Sequence, residues 1–293
     1  MTAAALPELP LYDLPGFTHR WVEGLHAVEG GPQAGPALVL LAGFPQTWWA
    51  WRKAMPGLAE RFRVIAIDLP GQGHSDRPHD SYDTHTVASR IQAALTALEV
   101  PKYWLAAHDV GAWVAFSLAL KHEDRLHGLA LLDAGIPGIT LPDSIPTDPD
   151  RAWKTWHFAF HLVPDLPETL LTGREREYVD WFLKAKALSP FDRTEIDHYA
   201  AALAAEGGLR ASLAYYRDAA ESARKNHAAL ERQHLTVPVL GISSSHGSIP
   251  DMAASISPWA DNVTGVVIPD SGHFIPDEQP AAVVAALTAF IGQ

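Results

Sequence analysis

The sequence contains no cysteine, and this absence excludes several kinds of chemistry. Without thiols the chain cannot form disulfides, iron–sulfur clusters or cysteine zinc sites, and it cannot use a thiolate nucleophile. Basic residues are also few, since 22 Lys and Arg stand against 34 Asp and Glu, a formal charge of −12. Because phosphate binding needs a basic surface, we expect no nucleic-acid partner. Any covalent catalysis must therefore use another residue type.

Long apolar runs are missing as well. The longest one, from Ala281 to Ile291, is interrupted at Thr288 and is shorter than the roughly 20 residues of a membrane span. Residues 1–15 contain no Lys or Arg and so lack the basic start of a signal peptide. We therefore predict a soluble, cytoplasmic protein with no membrane partner. The 15 histidines are scattered and form no H-E-x-x-H motif, so we predict no metal and no cofactor.

Short apolar runs alternate with helical patterns along much of the chain. After a hairpin pattern over residues 16–29, continuous apolar runs typical of buried parallel strands occur at Ala37–Leu41, Val64–Ile67, Tyr103–Ala107, Leu129–Leu132, Val237–Ile242 and Thr264–Ile268. Helical patterns occur at Trp48–Glu60, Thr84–Leu98, Ala112–Lys121 and Pro280–Ile291. This alternation predicts an α/β fold with a mostly parallel, doubly wound sheet.

One long segment interrupts the alternation. From about Pro137 to Gln233 the sequence shows only helical patterns, at Arg174–Leu188, Arg193–Ala205 and Ala211–Leu230. We therefore predict a helical cap at residues 137–233, inserted after the sixth strand. The sheet core would then consist of two parts, residues 1–136 and 234–293.

The motif with the clearest chemical meaning is Ala107-His108-Asp109-Val110-Gly111, between an apolar strand and a helix. It has the small-x-nucleophile-x-small pattern of a nucleophile elbow, with Asp109 in place of the usual serine. The N-terminus of the following helix would favour the negative charge of this carboxylate. The alternative is that Asp109 only caps the helix, which is a common role for Asp.

Two further loops follow strands whose carboxyl ends face the same crevice. Gly43-Phe44-Pro45 follows the first buried strand, where backbone N–H groups can form an oxyanion hole, and Phe44 and Val110 would be the donors. Asp270-Ser271-Gly272-His273-Phe274 follows the last strand, and His273 would act there as a general base. Each motif alone also fits a structural role. Gly and Pro in the first loop could simply end the strand, and His273 could be an ordinary surface histidine.

Together and in this order, the motifs resemble the α/β-hydrolase superfamily, and an Asp nucleophile indicates its epoxide hydrolase and dehalogenase branch. The chain looks most similar to Cif-type bacterial epoxide hydrolases, from about Phe17 to Ile291. The matching segments are Gly43-Phe44 with Gln46-Thr47-Trp48, Ala107-His108-Asp109, Trp156-His157-Phe158, Tyr215-Tyr216-Arg217 and Gly272-His273. One departure is Ala42, because the family usually has a His there that braces the Gly-x-Pro loop.

The resemblance implies a two-step opening of an epoxide to a diol. Asp109 would attack an epoxide carbon to give an ester, and a water activated by His273 would hydrolyse that ester. The oxyanion would lie on the N–H groups of Phe44 and Val110. The resemblance also implies a cis peptide bond between Phe44 and Pro45.

The sequence indicates less directly which carboxylate orients the base, His273. Many relatives place it after the strand that ends here at Ile242, but that loop has no carboxylate before Asp251. Asp133 matches the alternative position used by Cif-like enzymes and haloacetate dehalogenases, so we predict Asp133. An ordinary strand-exit role for Asp133, with Asp251 as the acid, is the alternative.

The cap would donate hydrogen bonds to the alkoxide that ring opening creates. Most epoxide hydrolases use two tyrosines; here the resemblance implies Tyr216 and, as in Cif-like members, His157. Aromatic side chains would form the pocket walls or pack nearby, and they suggest a small apolar epoxide as the substrate, with water as the second reactant. These residues are Trp49, Trp113, Phe158, Phe160 and Tyr215.

A dehalogenase is the main alternative function, since it would use the same Asp, His and acid. Relatives that act on haloacetate have Arg at the positions of Val110 and Trp113, and these cations are missing here. A buried substrate carboxylate without a cation costs several kcal/mol, so haloacids are disfavoured as substrates. Haloalkane dehalogenases usually have a halide-binding Asn or Trp where Phe44 or Val110 stands. A binding protein without turnover is a further alternative, which the complete catalytic set disfavours.

Relatives also suggest a homodimer.

Overall fold

The computed structural model describes residues 8–141 and 148–292. Within these residues, eight strands form one sheet in the order β1-β2-β4-β3-β5-β6-β7-β8. The β1–β2 and β2–β4 pairs are antiparallel and all others are parallel. The strands are β1 (Phe17–Val22), β2 (Leu25–Gly30), β3 (Ala37–Leu41), β4 (Arg63–Ile67), β5 (Tyr103–His108), β6 (Leu126–Leu132), β7 (Val239–Ser244) and β8 (Val263–Ile268).

The helices of the described residues lie in two groups, before β7 and after it. They are α1 (Met55–Ala59), α2 (Thr84–Ala97), α3 (Val110–His122), α4 (Pro149–Leu162), α5 (Leu166–Leu171), α6 (Glu175–Lys186), α7 (Arg193–Ala204), α8 (Gly208–Arg217), α9 (Ala219–Leu230), α10 (Met252–Ile256), α11 (Ile275–Glu278) and α12 (Pro280–Ile291). None of them combines the length and apolar character that a bilayer span requires, as far as the described residues go.

The central strands are apolar on both faces because helices cover both sides of the sheet. Val39 and Leu41 belong to the core under α2 and α3, whereas Leu38 and Leu40 face the core under α1 and α12. Alternate residues of a strand point to opposite faces, so burial on both sides requires a continuous apolar run. The prediction of a mostly parallel, doubly wound α/β sheet is confirmed.

Helices α4 to α9 lie between β6, the sixth strand, and β7. In the predicted cap, residues 142–147 are outside the described residues, as are residues 1–7 of the predicted core. The cap bounds of 137 and 233 therefore stay a prediction. The carboxyl ends of β3, β5, β6 and β8 carry the four loops that bring the candidate residues together beneath these helices.

Two predicted helices are each split in the structure. The pattern at Trp48–Glu60 forms a 3₁₀ turn at Trp48–Trp51 and then α1, because Pro56 lacks the N–H that a continuing helix needs and fits only a first turn. The pattern at Ala211–Leu230 breaks at Asp218, which leaves helical geometry between α8 and α9. The carboxylate of Asp218 accepts the backbone N–H of Tyr82 at 2.6 Å, a distant contact that the helical pattern does not show.

Candidate active site

Asp109 lies on a strained turn between β5 and α3. Its φ of 51° and ψ of −125° are outside the regions that residues with a side chain prefer. The side chain makes no capping hydrogen bond to α3, so the alternative of a simple helix cap does not describe it. The turn instead holds a buried carboxylate at the carboxyl end of the sheet.

The loop after β3 contacts this carboxylate directly. The backbone N–H of Phe44 donates to Asp109 Oδ1 at 2.8 Å. Gly43 permits the close approach, because a Cβ there would lie 2.3 Å from the Asp109 Cβ. The loop reaches this position although Ala42 replaces the family's His, and the Phe44–Pro45 peptide is cis, as expected. Val110 is the first residue of α3, so its N–H has no carbonyl partner within that helix.

The loop after β8 places His273 between two carboxylates. His273 Nδ1 lies 2.7 Å from Asp133 Oδ2, and Nε2 lies 3.4 Å from Asp109 Oδ2. The N–H groups of Ser248 and Ile249 donate to Asp133 at 2.7–2.9 Å and fix its orientation. Asp251, the alternative acid, caps α10 instead. The structure thus brings Asp133 to the imidazole and leaves Asp251 outside the site.

Burial and charge together set the protonation of this group. Burial alone would raise the pKa of Asp109, but His273, His108 and Lys186 outweigh it and hold that pKa well below its ordinary value. Burial also opposes ionisation of Asp133, yet His273 and the Ser248 and Ile249 N–H groups keep its pKa low. For His273, burial would lower the pKa, but Asp109 and Asp133 raise it overall. Asp109 is therefore an ionised nucleophile candidate beside an imidazole that readily accepts a proton.

Two candidate donors of the predicted cap pack together beside Phe44, whose N–H contacts the carboxylate. The ring of Tyr216 packs edge-on against Phe44 and His157, with each pair of ring centroids 5.7 Å apart. Burial and the nearby charge of Asp109 raise the pKa of Tyr216 well above its ordinary value, so its hydroxyl stays protonated. Burial and the charge of Lys186 hold the pKa of His157 well below its ordinary value. His157 is therefore neutral and can donate from only one ring nitrogen at a time.

Two of the five predicted wall residues lie at the site. Phe158 lines a cavity of about 110 Å³ that also exposes Asp109, Asp133 and His273. Trp113 stacks on Phe158, with ring centroids 5.9 Å apart. Phe158 therefore lines the cavity, and Trp113 packs against it without lining the cavity itself.

The structure does not place the other three aromatic residues in the lining of this cavity. Trp49 stacks on Tyr12, with ring centroids 4.7 Å apart, and does not line the cavity. Phe160 packs on neighbouring rings of its own helix and does not line the cavity. Tyr215 turns its hydroxyl to the carbonyl of Pro70, at 2.8 Å. These three residues are packing residues.

The cavity also contains polar residues that the sequence analysis did not single out. Lys154, Thr155 and Lys186 line it together with the carboxylates. The wall is thus mixed and not apolar, which corrects the expectation of a pocket without a cation. A signal was present in the sequence: Lys186 follows Phe182 by four residues and Leu183 by three, which puts it on the apolar stripe of α6.

No group of three or more metal-ligating side chains occurs among the residues that the structure describes. The chemistry that this geometry supports is nucleophilic attack by a carboxylate, with an oriented imidazole as the base. The backbone N–H of Phe44 lies on one oxygen of the carboxylate, and the neutral side chains of Tyr216 and His157 pack near the Phe44 loop.

Comparison with known proteins shows the class to which this fold and site belong. A family model described as the alpha/beta hydrolase fold matches residues 36–280. The chain belongs to the α/β-hydrolase family.

Similar proteins within the family narrow the class of hydrolase further. The chain is 33% identical to the soluble epoxide hydrolase of Corynebacterium sp. (strain C12) over 272 residues, which cover 91% of this chain and 93% of that protein. The crystal structure of wild-type Cfl2 from Burkholderia cenocepacia superimposes with a TM-score of 0.93 at 51% identity, covering 98% of this chain and 99% of that one. The Cif epoxide hydrolase of Acinetobacter nosocomialis shares the fold, with a TM-score of 0.89 at 24% identity over 96% of this chain and 90% of that one. The chain is a hydrolase that groups with epoxide hydrolases, as the resemblance predicted.

Proposed function

We propose that this protein is an epoxide hydrolase that opens the ring through a covalent ester on Asp109. One observation carries the proposal: a buried, ionised carboxylate on an elbow turn faces the imidazole of His273 at 3.4 Å. A serine hydrolase would have a hydroxyl at this position, so the carboxylate specifies attack on a saturated carbon. Membership of the family and the named relatives agree with this chemistry.

In the first step, Asp109 Oδ2 attacks an epoxide carbon. Oδ1 accepts the Phe44 N–H, which leaves Oδ2, 3.4 Å from His273 Nε2, as the nucleophilic oxygen. A new C–O bond forms, the ring C–O bond breaks, and its electron pair stays on the epoxide oxygen. Tyr216 and His157 stabilise this alkoxide, and it takes the phenolic proton of Tyr216. Donors placed where negative charge develops lower the barrier most effectively.

In the second step, His273 Nε2 removes a proton from water, and the water oxygen adds to the Asp109 carboxyl carbon. The oxyanion forms on Oδ1, against the N–H groups of Phe44 and Val110. The bond from the carboxyl carbon to Oδ2 then breaks, and Oδ2 leaves as the second diol hydroxyl with the proton from His273. Asp133 stabilises the transient imidazolium. The remaining proton on the new Asp109 carboxyl returns to Tyr216, so all atoms balance.

The division into a core at residues 1–136 and 234–293 and a cap at 137–233 belongs to this proposal, with the site between the two. The substrates would be an epoxide and water. A homodimer stays a prediction from relatives.

A haloacid dehalogenase is the second candidate function. The specific observation in its favour is Lys186 in the cavity, since it supplies a cation that a substrate carboxylate needs. The same Asp109 would then displace a halide and form the same kind of ester.

A substrate panel tests the proposal. Purified protein is incubated separately with styrene oxide, 1,2-epoxyhexane, oxirane-2-carboxylate, chloroacetate and a nitrophenyl ester, and diol, chloride and nitrophenol are quantified. We expect diol from at least one epoxide, and none from an Asp109→Ala variant. Chloride release without any diol would instead identify a dehalogenase, and nitrophenol release alone would identify an esterase.

A further inference from the structure

Lys186 is a buried cation that the proposed mechanism does not use. It ends helix α6, is only 5% exposed and lines the cavity. Its Nζ makes one long hydrogen bond, of 3.4 Å to the carbonyl of Lys154, and lies 4.6 Å from the ring centroid of Phe182. No carboxylate of the described residues lies within 4.0 Å of it. A buried charge in this situation needs a partner.

A second polar group of the cavity also lacks a partner. The Thr155 hydroxyl is buried and has no hydrogen-bond partner among the residues that the structure describes. Thr155 and Lys186 line the same cavity as Asp109. An ammonium and a hydroxyl can both donate hydrogen bonds to a carboxylate, and the bond from the ammonium is strengthened by its charge.

We propose that Lys186 binds a carboxylate of the substrate, so that this site prefers small 2,3-epoxy acids to neutral epoxides. The inference rests on the proposed function, which it narrows from epoxides in general to anionic ones. A cavity of about 110 Å³ lies far below the roughly 300–1,000 Å³ of typical ligand pockets, so a compact substrate fits best.

The change of charge during catalysis supports this assignment. Burial lowers the pKa of Lys186 to about 8, against the opposing effect of Asp109 and Asp133. When Asp109 becomes an ester it loses its charge, and the ammonium loses one of the two carboxylates that support it. A substrate carboxylate would replace that negative charge inside the cavity.

The position of Lys186 is fixed relative to the base. The backbone N–H of His273 donates to the Lys186 carbonyl at 2.9 Å. Gly272 allows this contact, because a Cβ there would lie 2.5 Å from the same carbonyl oxygen. The end of α6 is therefore tied to the loop that carries His273. A substrate carboxylate bound to Lys186 would therefore have a fixed position relative to His273.

A simpler role for Lys186 would be to keep Asp109 ionised, since its charge lowers the pKa of that carboxyl. The two roles differ in what a charge-removing substitution does. If Lys186 only supports Asp109, its loss slows every epoxide to the same degree. If it binds the substrate, the loss is selective for anionic epoxides.

The test compares oxirane-2-carboxylate with its neutral analogue, oxirane-2-carboxamide. We expect Lys186→Met to lower kcat/KM for the carboxylate by roughly thirtyfold or more, the usual cost of removing one partner of a buried charge pair. For the carboxamide we expect a change of less than about threefold. The matched control is Lys184→Met, since Lys184 lies on the same helix but is exposed and pairs with Asp180. It should behave as wild type with both substrates.

Equal losses for the two epoxides, or no loss, would overturn the inference while leaving epoxide hydrolysis intact. A binding measurement tests the inference about Lys186 independently of the proposed function. Calorimetry with glycerate and glyceramide, which need no turnover, should show tighter glycerate binding in wild type and a loss of that preference in Lys186→Met. Tighter glycerate binding by a protein that opens no epoxide would contradict the proposed function alone. Equal binding of glycerate and glyceramide to wild type would contradict the inference.

Discussion

Replacing Tyr216 with Phe should slow ring opening without weakening the fold. The ring is 2% exposed and packed against aromatic neighbours, all of which Phe keeps. Within the described residues the hydroxyl donates no hydrogen bond to the protein, so its removal leaves no protein group unpaired. In the proposed mechanism the alkoxide has two donors, Tyr216 and His157. Losing one should cost about 2.7–4 kcal/mol in the alkylation step, or roughly 10²–10³-fold in rate, by comparison with oxyanion-hole deletions.

The assay is the single-turnover rate of adduct formation, measured by rapid quench with enzyme in excess over the epoxide. Tyr215→Phe is the matched control, because this neighbouring hydroxyl bonds the Pro70 carbonyl at 2.8 Å, away from the cavity. That variant should lose about 1 kcal/mol of unfolding free energy and keep its alkylation rate. An unchanged rate in Tyr216→Phe, or equal rate losses in the two variants, would refute the role given to Tyr216.

Two further predictions concern the base and its acid. In the free enzyme the carboxylates raise the pKa of His273 above its ordinary value, whereas in the ester Asp109 carries no charge and part of that effect is lost. The acid limb of ester hydrolysis should therefore lie at lower pH than the titration of His273 in the free enzyme, followed by NMR; coincident values would contradict this. Asp133→Asn should slow ester hydrolysis by roughly 10⁴-fold, as in other triads, and affect alkylation much less, because Asp133 contacts His273 and not the nucleophile. Asp251→Asn should leave both steps unchanged in stopped-flow measurements, and a comparable loss there would move the acid role to Asp251.

The sheet was accessible from the sequence because burial on both faces leaves a strong local pattern. Runs such as Ala37–Leu41 are apolar at every position, and the strand bounds follow within a few residues. The split at Pro56 is also a local effect, which the absent N–H of proline explains. The break at Asp218 is different, since it depends on a hydrogen bond to Tyr82 from a distant loop.

The residues of the candidate site also differ in how far the sequence predicts their placement. Asp109 and Asp133 directly follow β5 and β6, and Phe44 and His273 lie in the loops after β3 and β8. The carboxyl ends of parallel strands meet at one edge of the sheet. Their placement therefore follows from topology. The predicted cap offers no such constraint.

In a helix, the angle at which it packs decides which side chains reach a cavity. Phe158 reaches it, whereas Phe160, two positions further along α4, does not. Lys186 was missed for another reason, because lysine is almost always exposed. A lysine on an apolar helical stripe is a conflict between residue type and position, and such conflicts are expected at functional sites.

The most direct test of the account is the mass of the His273→Gln protein after exposure to the epoxide that wild type converts fastest. Without the base, the first step proceeds and the second stops, so the intact mass should rise by one substrate. Peptide mapping should place the increase on the peptide that contains Asp109. An unmodified mass, under conditions in which wild type forms diol, would contradict covalent catalysis by Asp109.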